Sequence, residues 1–265
     1  MQTQIVNQRK TRFGRWMAGA LLAAGLLSAM PSIGTAGTFD AAQQEEIGAL
    51  VKQYLMEHPE VIRDAMVELD RRQQAAEADA RKDTLAKSAD ALFNSKNQVV
   101  LGNPDGDVTL VEFFDYNCGY CKRAHGDMAR LLEEDKNLRI VLKEFPVLGP
   151  GSEEAAQVAV VVNEMAPDKY GAFHEKLLMT RGEVNGARAL AVAKDVGLDP
   201  EAIKARLKEP AVGASIGESY RLAQSLGING TPSYVLKDEV VVGAVGYDNL
   251  KSKIESVRAC GSTTC

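Results

Sequence analysis

The feature that most constrains this chain is Cys118-Gly119-Tyr120-Cys121, placed where one periodicity gives way to another. Val108 to Phe114 is a compact run of β-branched and aromatic residues, the mark of a buried strand. From Lys122 to Glu134 the apolar positions Ala124, Met128, Leu131 and Leu132 recur at helical spacing. The two cysteines therefore fall at a strand-to-helix junction. A helix N-terminus offers unpaired N–H groups and a positive dipole end, both of which stabilise an anion. Cys118 is expected to react as a thiolate, and Cys121, one turn further in, to resolve a mixed disulfide formed on Cys118. Other chemistries share the C-x-x-C spacing. Zinc requires four ligands, and the remaining cysteines lie about 140 residues away. C-type haem attachment requires His after the second Cys, and position 122 is Lys.

The rest of the chain fits around that junction. Arg9, Lys10, Arg12 and Arg15 precede an apolar run, Met17 to Met30, followed by small residues to Gly37. This is a secretory signal pattern, with cleavage expected near Ala36. The alternative is an uncleaved anchor, but about 14 apolar residues are few where about 20 span a bilayer. Taking those four basic residues from the 31 Lys and Arg leaves 27 against 36 Asp and Glu, a net charge of −9. An acidic mature chain argues against nucleic-acid binding. Periplasmic export makes disulfides permissible, yet four cysteines are too few to staple a fold of this size.

Residues 38–96 read as an almost wholly helical arm, broken at His58-Pro59 because proline donates no backbone hydrogen bond. Ile47, Leu50, Val51, Tyr54 and Leu55 form one stripe; Val61, Ile62, Ala65, Met66 and Leu69 form a second. Arg71 to Lys87 is polar and reads as a solvated connecting helix. An amphipathic arm either folds back or meets copies of itself, and a homo-oligomer through residues 38–90 is the expectation. Residues 97–258 read as one α/β domain: strands near Val99–Leu101, Val108–Phe114 and Leu138–Phe145, then a helical insertion over about 152–226. Strands return at Ser233–Leu236 and Val240–Val242, before a last helix, Asp248–Val257, and a tail over 259–265 that carries Cys260 and Cys265.

Three further features bear on chemistry. Glu112 stands in the apolar run before Cys118, where a buried carboxyl must find a partner or stay protonated. Lys143, on the neighbouring strand, is the expected partner; a solvent-facing Glu112 is the alternative. Thr231-Pro232 opens a strand, either as an ordinary first-position proline or as a cis bond. Cys260 and Cys265 are expected to close a local structural disulfide, the alternatives being a labile pair or a metal-binding tail. His125, four residues after Cys121, would with both thiols offer three ligands to copper(I), a soft ion; a solvated His is the other reading. No cofactor and no metal-ligand set are assigned.

Phe113-Phe114-Asp115-Tyr116-Asn117-Cys118-Gly119-Tyr120-Cys121, Lys143-Glu144-Phe145-Pro146 and Gly230-Thr231-Pro232 together resemble the DsbA-like thioredoxin-fold proteins, over about Val99 to Arg258. The resemblance implies a thioredoxin fold with an inserted helical subdomain. It implies that Pro232 is cis against the cysteine pair, that Thr231 pairs with substrate, and that Glu112 and Lys143 form a charged pair beneath the site. Gly119-Tyr120 and the Thr before Pro232 are more similar to disulfide isomerases of the DsbC type than to the oxidant DsbA, which has Pro-His. The arm resembles the oligomerising arm of ScsC, a suppressor-of-copper-sensitivity protein. The implied activity is an oligomeric periplasmic disulfide isomerase or reductase, with exported cysteine-containing proteins as substrates and a redox partner to reset the pair. A monomeric dithiol oxidase and a copper(I)-binding thiol protein are the competing readings.

Overall fold

The computed structural model describes residues 39–265, so the signal-peptide expectation lies outside the described residues. The chain divides into two compact units, one ending at Arg63 and one beginning at Asp64. In the first, α1 (Ala41–Glu57) opens on a capping box in which Asp40 and Gln43 satisfy one another's backbone N–H groups at 2.9 and 3.0 Å. Ile47, Leu50, Val51 and Tyr54 of this helix are exposed, and so are Val61 and Ile62 after Pro59. The helix α2 (Glu60–Phe93) starts one residue beyond that proline. No helix among the described residues is long and apolar enough to cross a membrane.

The second unit is built on a five-stranded sheet of order β1-β3-β2-β4-β5. Its strands are β1 (Val99–Gly102), β2 (Val108–Phe114), β3 (Leu138–Glu144), β4 (Ser233–Leu236) and β5 (Glu239–Val242). β2 and β3 run parallel, joined by α3 (Gly119–Glu134), and the other pairings are antiparallel. Between β3 and β4 come α4 (Pro150–Met165), α5 (Pro167–Leu178), α6 (Gly186–Asp195), α7 (Pro200–Arg206) and α8 (Pro210–Ser225). Proline opens four of these five, its fixed φ suiting the first helical turn, which is why the insertion breaks where the sequence says. The chain closes with α9 (Tyr247–Cys260), stopped by Gly261 at φ 79°.

Each face of the sheet buries its own cluster. Leu110, Phe114, Ile140 and Leu142 meet α3, α4, α5 and α9 on one face. Val111, Phe113, Val141 and Val235 meet Leu222 and Leu226 on the other, together with Leu85 and Leu92 from the end of α2. The second core thus draws on residues ahead of Lys96. Leu85 and Leu92 are the only buried residues in α2, and they make its last turns part of the sheet's second core.

Candidate active site

Cys118 is the N-cap residue of α3, held there by a short relay of local bonds. Asp115 Oδ1 accepts from the Asn117 N–H at 2.7 Å, and the Cys118 N–H donates to the Asp115 carbonyl at 3.0 Å. That turn leaves the Cys118 sulfur facing the start of the helix, where it accepts from the Cys121 N–H at 3.4 Å. Both cysteines are free thiols. Their acidities are driven apart. The Cys121 thiol hydrogen-bonds to Cys118 and lowers its pKa to about 5; burial opposes this, and Thr231 and the Cys121 and Tyr120 N–H groups assist. The same bond and burial push the Cys121 thiol far above its ordinary range. Cys118 thus carries the acidic sulfur and Cys121 the proton-holding thiol, fully buried beneath it. The Thr231–Pro232 bond is cis, and the Thr231 carbonyl oxygen lies 3.1 Å from the Cys118 sulfur. Gly119 and Tyr120 are exposed beside the thiol, with the Arg123 guanidinium 4.2 Å above the Tyr120 ring.

Glu112 is buried on the β2 face below the thiols, opposite Leu142 of β3 and Tyr234 of β4. No hydrogen bond to its carboxyl is made among the described residues. Desolvation, then the nearby Cys118, raise its pKa to about 8, so it is protonated at neutral pH. Lys143 does not neutralise it. In the β2–β3 register Lys143 stands opposite Phe113, and alternate residues of a strand face opposite sides, so Lys143 points away from Glu112. Its ammonium, with 1% of the side chain exposed, donates instead to Glu218 of α8 at 3.0 Å and to the Ala91 carbonyl of α2 at 2.7 Å. The expected Glu112–Lys143 pair is therefore corrected: the lysine clamps the opposite face of the sheet. What Glu112 meets is a cleft of about 310 Å³ that it lines with His125, His174, Glu175 and apolar side chains. His125 stands 5.8 Å from the His174 ring, and no group of three His, Cys, Asp or Glu that could hold a metal exists among the described residues.

The site is thus a dithiol pair at a helix N-terminus, faced by a cis-proline loop, on a sheet with a helical insertion. The family model for the DSBA-like thioredoxin domain matches residues 109–255. The chain belongs to this family. A second model, the copper resistance protein ScsC N-terminal domain, matches residues 43–76. Among solved structures, a thioredoxin-like oxidoreductase from Silicibacter pomeroyi DSS-3 is 45% identical, with a TM-score of 0.62 over 64% of this chain and 98% of that one. A linker-deletion mutant of Proteus mirabilis ScsC is 28% identical, with a TM-score of 0.65 over 85% of this chain and 99% of that one. Disulfide bond formation protein D of Bacillus subtilis is 28% identical over 170 residues, covering 60% of this chain and 77% of that protein.

As a DsbA-like thiol–disulfide oxidoreductase, the protein exchanges disulfides with cysteine-containing substrates and depends on a redox partner to restore its own pair. Two features of this family member escape a reading of the sequence. Glu144 is buried and accepts from Tyr170 at 2.9 Å and Tyr116 at 3.4 Å; desolvation raises its pKa, so it stays protonated. Tyr116 also meets His174 Nδ1 at 3.2 Å, and burial holds that imidazole down to about 3. Tyr170 and His174 come from the inserted α5, 54 and 58 residues from Tyr116, and no local pattern marks them. Cys260 and Cys265 are joined as a disulfide, and Asp238 accepts from Ser262 and Thr263 inside the loop so formed.

Proposed function

We propose that the protein is exported and acts as an oligomeric disulfide isomerase or reductase. The observation that carries the exchange chemistry is the split between the two thiols: an acidic Cys118 over a protonated, buried Cys121. The Cys118 thiolate attacks a substrate disulfide, one substrate sulfur leaves as thiolate, and a mixed disulfide forms. In isomerisation another substrate thiolate attacks the substrate sulfur of that mixed disulfide and Cys118 departs unchanged. In reduction Cys121 loses its proton to the ionised fraction of Glu112 and attacks Cys118, releasing the reduced substrate and leaving a Cys118–Cys121 disulfide. Thr231 and Pro232, with the exposed Gly119 and Tyr120, form the substrate platform.

Export rests on the basic-apolar-small order of residues 1–36. Self-association is supported by the exposed apolar side chains of α1, where Leu50 is 65% and Tyr54 52% exposed, and by the match of residues 43–76 to the ScsC N-terminal domain. Several sites in one assembly would shield one another from the partner that reoxidises them. A second reading, a monomeric dithiol oxidase, is favoured by the same low Cys118 pKa, because stabilising the thiolate stabilises the reduced form. Refolding of a scrambled multi-disulfide substrate, run with full-length mature protein and with residues 39–63 deleted, separates them. The isomerase reading requires recovery that depends on Cys118 and falls with the deletion, together with a fall in solution mass. Equal recovery and equal mass leave the oxidase.

A further inference from the structure

Asp115 and Asn117, inside the motif ahead of Cys118, carry more bonds than a turn requires. The Asn117 amide binds the backbone of Val184 in both directions. Its Oδ1 accepts from the Val184 N–H at 2.7 Å, and its Nδ2 donates to the Val184 carbonyl at 2.8 Å and to Ser152 Oγ at 2.9 Å. Asp115 collects the other side: Oδ1 accepts from Ser152 Oγ at 2.7 Å, and Oδ2 from the Leu148 N–H at 2.9 Å. A third tie runs from the helix that Cys118 caps, where Lys122 Nζ donates to the Thr180 carbonyl at 2.8 Å. Asp115, Ser152 and Val184 are buried.

The packing points the same way independently of these bonds. A Cβ added at Gly151 would stand 2.9 Å from the Val184 carbonyl oxygen, so glycine is what lets residues 179–185 close onto the start of α4. The main groups that set the acidity of Cys118, namely Cys121, Thr231 and the Tyr120 N–H, lie outside the bonds of the Asn117 and Asp115 side chains; of the tied residues Lys122 alone couples to the thiolate, by charge. The Asn117 and Asp115 side-chain bonds therefore fix what surrounds the nucleophile without tuning the nucleophile itself. Leu148 and Met179, on the two segments it ties down, are exposed.

We propose that Asn117 and Asp115 are positioning residues, which lock residues 179–185 and the Leu148 loop beside Cys118 as a preformed wall against which a polypeptide disulfide docks. This deepens the oxidoreductase reading and rests on it. An Asn117→Ala chain leaves the Val184 N–H and carbonyl unpaired in a buried place, so the wall loosens. Gly151→Ala pushes on the same carbonyl from outside the active site.

The test uses the full mature protein, reduced, with two probes. Iodoacetamide, a small alkylating agent, reads the thiolate alone; a cysteine peptide in mixed disulfide with glutathione reads docking plus chemistry. In both variants the alkylation rate should stay within about twofold of wild type. With reduced glutathione supplied to regenerate the dithiol, the peptide kcat/KM should fall about tenfold, carried by KM. The Val184 amide should exchange with solvent about 100-fold faster. The positioning role is overturned if alkylation falls in parallel with peptide turnover. It is equally overturned if the variants turn over peptide like wild type while Val184 stays protected. A wild-type protein that alkylates but never reacts with the peptide instead removes the oxidoreductase reading, and the wall with it.

Discussion

Replacing Cys121 with alanine gives the sharpest measure of the active-site electrostatics. In the wild type, Cys118 with a pKa of about 5 is about 99% thiolate at neutral pH, where a free thiol of pKa about 8.5 is about 3% ionised. The largest cause of that depression is the hydrogen bond from the Cys121 thiol. A hydrogen bond to a charged group contributes about 1.5–3 kcal/mol, equivalent to about one to two pKa units. Cys121→Ala should therefore move the Cys118 midpoint up by about that much. The helix N–H groups and Thr231 remain and keep it below a free thiol. The assay is iodoacetamide alkylation followed from about pH 4 to 9, with thiolate absorbance as a check. Wild type should plateau above about pH 6 and lose about tenfold per unit below about pH 5. The folded pKa lies below the unfolded one, so the gain in stability is fully present above about pH 8.5 and is lost as pH falls through about 5. The reduced protein should accordingly gain stability relative to the oxidised one over that window. A wild-type rate that still climbs tenfold per unit between about pH 6 and 8 would refute the reasoning, as would a midpoint unmoved by Cys121→Ala.

Two further predictions follow from the sheet's two faces. Glu112 has its pKa raised to about 8, chiefly by burial, so in the oxidised protein, where Cys118 does not titrate, wild-type stability should decline from about pH 5 to 8. A Glu112→Gln chain should lack that decline in thermal melts, and should resolve the mixed disulfide about tenfold more slowly; parallel melting curves would show that Glu112 does not titrate there. Lys143→Met leaves Glu218 without its buried cation and Ala91 without its donor, at a cost of about 2–4 kcal/mol in a denaturant midpoint. Alkylation of Cys118 should be unchanged, because the lysine sits on the other face; a shifted thiolate midpoint would restore the expected pair.

Most of the local architecture was legible in the order of residues. The period change around Cys118, the prolines opening the inserted helices and the strands Val108–Phe114 and Ser233–Leu236 all express preferences that act within a few residues. Lys143 is the instructive failure. β2 and β3 are buried on both faces, so neither strand alternates polar with apolar, and parity along the chain carries no mark of which side a residue faces. Leu85 and Leu92 failed differently: two apolar residues in a polar helix leave no stripe, and only the sheet beside them makes them core. Asn117 stood in plain view, but its partners Ser152 and Val184 lie 35 and 67 residues away.

By itself the sequence determined where the acidic thiol stands. A thiol capping a helix gains its acidity from its own turn, and that turn is written in consecutive residues. Tertiary structure decided what the thiol works with: the Thr231 carbonyl over it, the protonated Glu112 beneath it and the Val184 wall beside it. Those depend on sheet register and loop closure, which the chain settles only once distant segments are packed against one another.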